Sequence, residues 1–364
     1  MMETKNWLIS IRGDLLLLFL PIWLVLAYCF YLPSEIVNYK MSIFFWAIFI
    51  LGIDVSHVWS TIFRTYFDKS ERRQHKRILT YAPFIALSFS IILCSINEYL
   101  FWSVLAYYAL YHFIKQQYGF FSMYRRKSAY DESNMWIKSK WILFMGVLYP
   151  VLFWHLSGDR VFFWFEGGDF IRLNSGIFQE TLIYCSLLYL VIHFFWIVEI
   201  IIKSNILPIG LMLWILTSSS VWFFGIVWFN SDVVFSLTNV VAHGIPYMVL
   251  VFYYIENKRS IKQKKVFRLS LRTCYNVGFM LLLILLFAFV EEYFWDWLVN
   301  REKEVFFKDL VDYPLEVISS KFSRVFLISV LSIPQITHYI LDGYIWKGNS
   351  SNPYIKPVFF GERK

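Results

Sequence analysis

The sequence predicts an all-α, polytopic integral membrane protein with about ten transmembrane helices and both termini in the cytoplasm. Three observations lead there. Of 364 residues, 58% are hydrophobic, 21% aromatic and only 16% charged. Soluble domains carry about 25% charged residues, so an ordinary soluble enzyme is excluded, and so is intrinsic disorder, which needs low hydrophobicity. Apolar runs of about 20 residues, each long enough to cross a hydrocarbon core as a helix, recur from end to end. Finally, the connections between these runs alternate between rich and poor in lysine and arginine.

The first run, 13–32, follows Lys5 and Arg12 and ends at Tyr31-Leu32-Pro33 with no small-residue cleavage site. It is expected to be a retained span rather than a signal peptide. The second, 41–63, carries Asp54 and His57 in its second half. A basic connection separates it from 79–97, and Asn97-Glu98 marks the break before 99–124. The remaining runs are 141–157, 179–202, 207–229, 233–256, 274–296 and 322–346. Together they leave only modest loops, with no internal repeat, so residues 1–364 are expected to form one transmembrane helical domain. Two longer connections, 158–178 and 298–321, read as interfacial segments on the outer side. The second is amphipathic, with Phe306, Phe307, Leu310 and Val311 set among charges.

Orientation follows from the basic residues. Of 34 lysines and arginines, 25 fall at the termini and in the connections that share their side, 8 on the opposite side, and Lys115 within a span. The positive-inside rule places the rich side in the cytoplasm, and the net charge of +8 is an orientation and headgroup device. No nucleic-acid partner is expected. Cys29, Cys94, Cys185 and Cys274 stand singly with no CxxC pair, which predicts small apolar fillers rather than a disulfide framework.

Ionisable residues inside spans are costly and by default face the bundle interior. Of seven histidines, His75 and His155 read as solvated or interfacial, whereas His57, His112, His193, His243 and His338 occupy the second, fourth, sixth, eighth and tenth runs, one each. These even-numbered runs all point inward from outside. At about 1.5 Å per residue, the five imidazoles share one layer roughly 10–20 Å below the cytoplasmic boundary.

Four of the five have polar company three or four residues away, on the same helix face. Asp54 precedes His57, Gln116 follows His112, Asn239 precedes His243, and Asp342 follows His338. His193 has no such companion. Neutral imidazoles with nearby carboxylates are a ligand set for iron, zinc, manganese or copper, and a carboxylate beside a ligating histidine can fix its tautomer. The expected metal ligands are therefore His57, His112, His193, His243 and His338, with Asp54, Asp342 and Gln116 as the catalytic groups that complete or orient the site. Pro246 and Pro334, close to His243 and His338, predict kinks that open a pocket.

The motifs HxxxH, HxxHH, HExxH, GxxxxGK[ST] and GxSxG are absent, so the common desaturase, metalloprotease, nucleotide-binding and serine-lipase patterns give no support. Asn239 and His243 in NVVAHG resemble the in-span Asn-or-His signature of membrane-bound O-acyltransferases. That resemblance implies lipid acyl transfer with His243 as general base.

The expected function is a membrane-embedded oxidoreductase with histidine-ligated iron, as one ion or a carboxylate-bridged pair, and haem as the alternative cofactor. Its substrate would be a lipid or other apolar small molecule entering from the bilayer, for hydroxylation, desaturation or oxidative cleavage. Membrane lipids and an electron-transfer partner on the cytoplasmic side are the expected partners. The rivals are the acyltransferase centred on His243 and a proton-coupled transporter using Asp54, Asp342, Lys115 and the histidines. Abundant Ile, Phe, Lys and Asn suggest an AT-rich genome and a bacterial inner membrane.

Overall fold

The computed structural model describes residues 6–37, 41–128, 135–157, 164–165, 167–173, 178–263, 271–307 and 320–361, and among them every regular element is helical. The long helices are α1 (Ile11–Cys29), α2 (Ile43–Arg64), α3 (Lys76–Ile96), α4 (Glu98–Lys127), α5 (Met135–Leu156), α6 (Glu180–Lys203), α7 (Ile209–Trp228), α8 (Asp232–Lys262), α9 (Thr273–Asn300), and the pair α10 (Lys321–Leu331) and α11 (Ile333–Ile345). Each of the ten apolar runs is thus helical. Among the described residues, eight helices are long and apolar enough to cross a membrane, and α10 with α11 make a ninth if that bent pair is one span. α4, the remaining expected span, is outside that set; its 30 residues include Lys115, Gln116 and Gln117 and end on Arg125-Arg126-Lys127.

Local chemistry sets the boundaries. Asn97 is extended (φ −161°), and its side chain accepts from the backbone N–H groups of Tyr99 and Leu100 at 2.7 and 3.2 Å, capping α4. Ser42 and Ser320 cap α2 and α10 in the same way, accepting from Phe45 and Ser323. The bend of 41° between α10 and α11 falls at Ser332, two residues before Pro334. A proline cannot donate to the preceding turn, so a new helix starts there. Pro246, by contrast, lies inside the unbroken α8.

The chain divides into two compact units, Met1–Met41 with Leu105–Pro246, and Ser42–Val104 with Tyr247–Lys364. In the first, α7 packs on α5 and on α1, and α6 packs on α5. Gly146 permits the α5–α7 approach, since a Cβ there would lie 3.0 Å from Ser219 Cβ, the small-residue contact typical of membrane helices. Buried Trp214 stacks on Phe120 at 4.3 Å and donates to the Gln117 carbonyl at 3.1 Å. Asp14 ties the entry to α1, accepting from Leu8 N, Ile9 N and the Tyr124 hydroxyl at 2.7–2.9 Å.

In the second unit, α9 and α11 pack on α2, and α10 and α11 pack on α3 around Leu79, Ala82 and Leu341. The connection after α2 is not a solvated basic loop. Arg64, Glu71, His75 and Lys258 are all buried there. Arg64 Nη1 meets Glu71 at 2.5 Å, and its Nη2 donates to the Ile345 carbonyl and Asn352 Oδ1 at 2.9 and 3.2 Å. Lys258 bridges Glu71 and Asp68. His75, expected to be solvated, instead bonds Asn352 at 3.0 Å and lies 3.6 Å from Glu71. Carboxylates on neighbouring turns explain the difference, because they make burial of this cationic segment affordable.

Burial opposes the charged forms of Asp68 and Glu71, yet Lys258 outweighs it at Asp68, and Arg64 with Lys258 at Glu71, so both carboxyls titrate below their ordinary range. A depressed folded-state value contributes stability that is complete above the unfolded-state pKa of about 4 and is lost as pH falls below it. The thermal midpoint of the purified protein is therefore expected to hold from pH 7 to about 5 and to fall at lower pH, and Glu71→Gln should flatten that fall. An unchanged acid limb in Glu71→Gln would show that this cluster does not set acid stability.

The expected outer segment 158–178 lies outside the described residues at 158–163, 166 and 174–177. In its described part the Asp169 carboxylate accepts from Trp164 N and Phe165 N at 2.8 and 2.7 Å, and Phe170 is buried. Of 298–321, residues 308–319, including Leu310 and Val311, lie outside the described residues. A short helix, Glu304–Phe307, carries buried Phe307 and partly exposed Phe306.

Candidate metal centre

Each compact unit contributes a pair of buried histidines. In the first, His112 stands on α4 and His243 on α8, with ring centroids 5.0 Å apart and planes at 75°. Phe113, next to His112, stacks on the His243 ring at 3.8 Å and 10°, fixing its plane. Gln116, one turn beyond His112, donates from Nε2 to the His243 backbone carbonyl at 2.8 Å. The role expected of Gln116 is thereby narrowed: its amide N–H braces the main chain that carries His243. Its Oε1 and Asn239 Nδ2 are buried and have no hydrogen-bond partner among the described residues.

In the second unit, His57 on α2 and His338 on α11 also meet edge to face, with centroids 5.0 Å apart and planes at 83°. Thr61 Oγ1 bonds His338 Nδ1 at 2.7 Å. The Tyr247 hydroxyl bonds Thr61 Oγ1 at 2.8 Å and donates to Asp342 Oδ1 at 2.6 Å. A chain of hydrogen bonds thus runs from the ring of His338 through Thr61 and Tyr247 to Asp342, the outer support that orients a ligating histidine. Asp54 Oδ1 lies 3.5 Å from His57 Nδ1, and Asp342 Oδ2 lies 4.0 Å from His338 Nε2. Both carboxylates stand beside the rings, at distances too long for direct hydrogen bonds of ordinary strength.

His57, His112, His243 and His338 are each at most 5% exposed. Each carries ring nitrogens that can act as metal donors, and imidazole pairs of this kind fit iron, zinc, copper or nickel.

His193 is not part of this set. Its Nδ1 bonds the Tyr189 carbonyl at 2.9 Å and its Nε2 bonds Ser219 Oγ at 3.1 Å. Both ring nitrogens are thus engaged within the α5–α6–α7 contact. Lys115 Nζ lies 5.8 Å from the Tyr118 ring centroid.

Two features beyond the sequence expectations shape the site. One is the π-helical stretch Trp46–Val55 immediately before His57, with Ser56 Oγ donating to the Leu51 carbonyl five residues back. Such widened turns recur at functional sites. The other is the pair Thr61 and Tyr247, which lie four residues beyond His57 and His243. The same spacing rule that picks out Gln116 and Asp342 picks out both, once hydroxyl groups are counted with carboxylates and amides.

Compared with known protein families, curated proteins and solved structures, the chain matches none. The class this fold and site define is a protein that is all-helical among the described residues, with eight or nine helices fit to cross a membrane and a pair of buried, touching histidines in each of its two units.

Proposed function

We propose that this protein is a membrane-embedded, histidine-ligated iron oxidoreductase acting on a lipid or other apolar substrate. The observation that carries the reading is that each compact unit buries two histidines, from two helices, with ring centroids 5.0 Å apart. Edge-to-face rings this close leave no space for a porphyrin between them, which favours a bare ion over haem. Asp54 and Asp342 stand close enough to complete or orient the set. Bound iron with open positions would supply dioxygen activation.

The chain's own groups have definable tasks. Thr61 and Tyr247 hold the His338 ring and its tautomer, Phe113 holds the His243 plane, and burial excludes bulk water. Hydroxylation or desaturation by dioxygen would consume two further electrons from a partner docked on the basic, cytoplasmic side and two protons; hydroxylation leaves one oxygen in the product and releases the other as water, and desaturation releases both as water. Oxidative cleavage of a double bond places both oxygen atoms in the two carbonyl products and needs no such partner. The orientation inferred from the basic residues puts both termini in the cytoplasm, in keeping with a bacterial inner membrane. Nothing singles out His243 from the other three histidines, so acyl transfer has no observation of its own here.

The test is metal analysis of detergent-purified protein, followed by incubation of the iron-loaded form with an apolar lipid extract and a reductant under labelled dioxygen. The expected result is about one or two irons per chain, with label in a hydroxylated or cleaved lipid product or, for desaturation, an unlabelled lipid lighter by two hydrogens. Stoichiometric zinc, or a metal-free protein that remains folded, would overturn the reading.

A further inference from the structure

Apart from the histidines, a cavity opens at the ends of three helices. It has a volume of about 490 Å³ and lies where α2 ends at Arg64, α8 ends at Lys262 and α9 begins at Thr273. Its lining is divided by chemistry. Lys69, Lys258, Arg259 and Lys262, with the carboxylate of Asp68 among them, form one part, and Phe63, Phe67, Phe279 and Met280 form the other. The basic part sits at the helix ends. Phe279 and Met280 lie six and seven residues into α9, about 10 Å deeper along the helix.

Lys258 is paired with Asp68 and Glu71, and Arg259 with Glu256 at 2.7 Å. Lys262 Nζ meets a hydroxyl, Ser70 Oγ at 2.9 Å, and the Tyr354 ring at 5.4 Å. Lys69 and Lys262 enter no ion pair among the described residues. Two ammonium groups with no ion-pair partner among the described residues thus stand at one end of a cavity whose other end is aromatic and aliphatic. Phe67 and Phe279 are each about half exposed, in a place where a protein in water would leave them wet.

We infer that this cavity is a binding site for an anionic phospholipid of the surrounding bilayer, its phosphate held by Lys69 and Lys262 and one acyl chain lying on Phe67, Phe279 and Met280. The charge selects the headgroup, since each lysine near an anionic lipid surface contributes a Coulombic attraction that a zwitterionic lipid does not match. The depth of the apolar part selects an amphiphile over a free anion, because acyl contacts add with each buried methylene. This inference needs only the membrane-spanning reading of the helices and is independent of the metal.

The test is native mass spectrometry of the full-length protein in detergent, titrated with phosphatidylglycerol or phosphatidylcholine. Phosphatidylglycerol is expected to be retained preferentially. The double variant Lys69→Gln, Lys262→Gln should bind it about thirty-fold more weakly, while Lys69→Arg, Lys262→Arg keeps the preference. Both lysines are exposed, so the fold is expected to survive, and an unchanged metal content and elution volume would confirm that. Equal retention of the two lipids, or undiminished phosphatidylglycerol binding in the glutamine variant, would overturn the assignment. Displacement of the lipid by equimolar glycerol 3-phosphate would also overturn it, by showing that the cavity takes a free phosphate compound.

Discussion

Alanine at His57, or at His338, is expected to lower bound metal at least tenfold, whereas alanine at His193 leaves metal content near that of the unaltered protein. Loss of an outer-shell partner alone typically costs ten- to a hundred-fold in metal affinity, and removal of a ligand atom should cost no less. The pairs are built so that each ring depends on another: His57 lies edge-on to His338, and His112 edge-on to His243. Deleting one imidazole therefore removes a donor and also loosens the plane of its neighbour. His112→Ala and His243→Ala should behave alike. His193 provides the internal control because it is buried and hydrogen-bonded like the others but its nitrogens serve Tyr189 and Ser219. Elemental analysis beside an optical spectrum reads the outcome, with helix content by circular dichroism to show that each variant folds. Equal metal in the His57, His338 and His193 variants would remove the basis for a shared site.

The largest effect on stability is expected at Arg64, which is buried, lies 4.0 Å from the Tyr254 ring centroid, and makes three polar contacts. Arg64→Met keeps much of the volume but leaves Glu71 with one cation fewer and strips the Ile345 carbonyl of its donor. Breaking a buried pair by deleting one partner costs about 3–5 kcal/mol, and the lower end applies here because Lys258 still faces Glu71. The expected fall in thermal midpoint is on the order of 5 °C or more. Arg64→Met combined with Glu71→Gln should be less damaging than Arg64→Met alone, since no unpaired carboxylate remains. An Arg64→Met protein with an unchanged midpoint would mean that the cluster is dispensable for folding.

The helices, and the burial of the histidines inside them, are legible in the sequence for simple reasons. Apolar length marks spans, and an ionisable residue inside a span is rare enough to stand out. His57 meets His338 and His112 meets His243, with Asp54 and Asp342 beside the first pair and Gln116 beside the second. The facing of His193 toward Tyr189 and Ser219 is not legible, because depth in the membrane says nothing about rotation around the helix axis. The buried Arg64–Glu71–Lys258 group escaped notice for the opposite reason. Arg64 and Glu71 read as ordinary charges of one loop and Lys258 lies far away in sequence, and only tertiary pairing reveals that they are dry. The widened turns of Trp46–Val55 have no distinctive residue pattern, since π and α hydrogen bonding are compatible with the same apolar side chains.

Those widened turns restrict how α2 can change over evolutionary time. A π turn accommodates an extra residue within a helix, and an α-helix advances about 100° per residue. Removing one residue between Trp46 and Val55 would let the stretch revert to ordinary α geometry and swing whatever follows by about that angle, carrying His57 and Thr61 off the face they share with His338 and Tyr247. Substitutions among the apolar residues of this stretch should pass freely under selection, while single-residue insertions and deletions should not. In descendants of this gene, the count of residues ahead of His57 would be kept even where their identities drift.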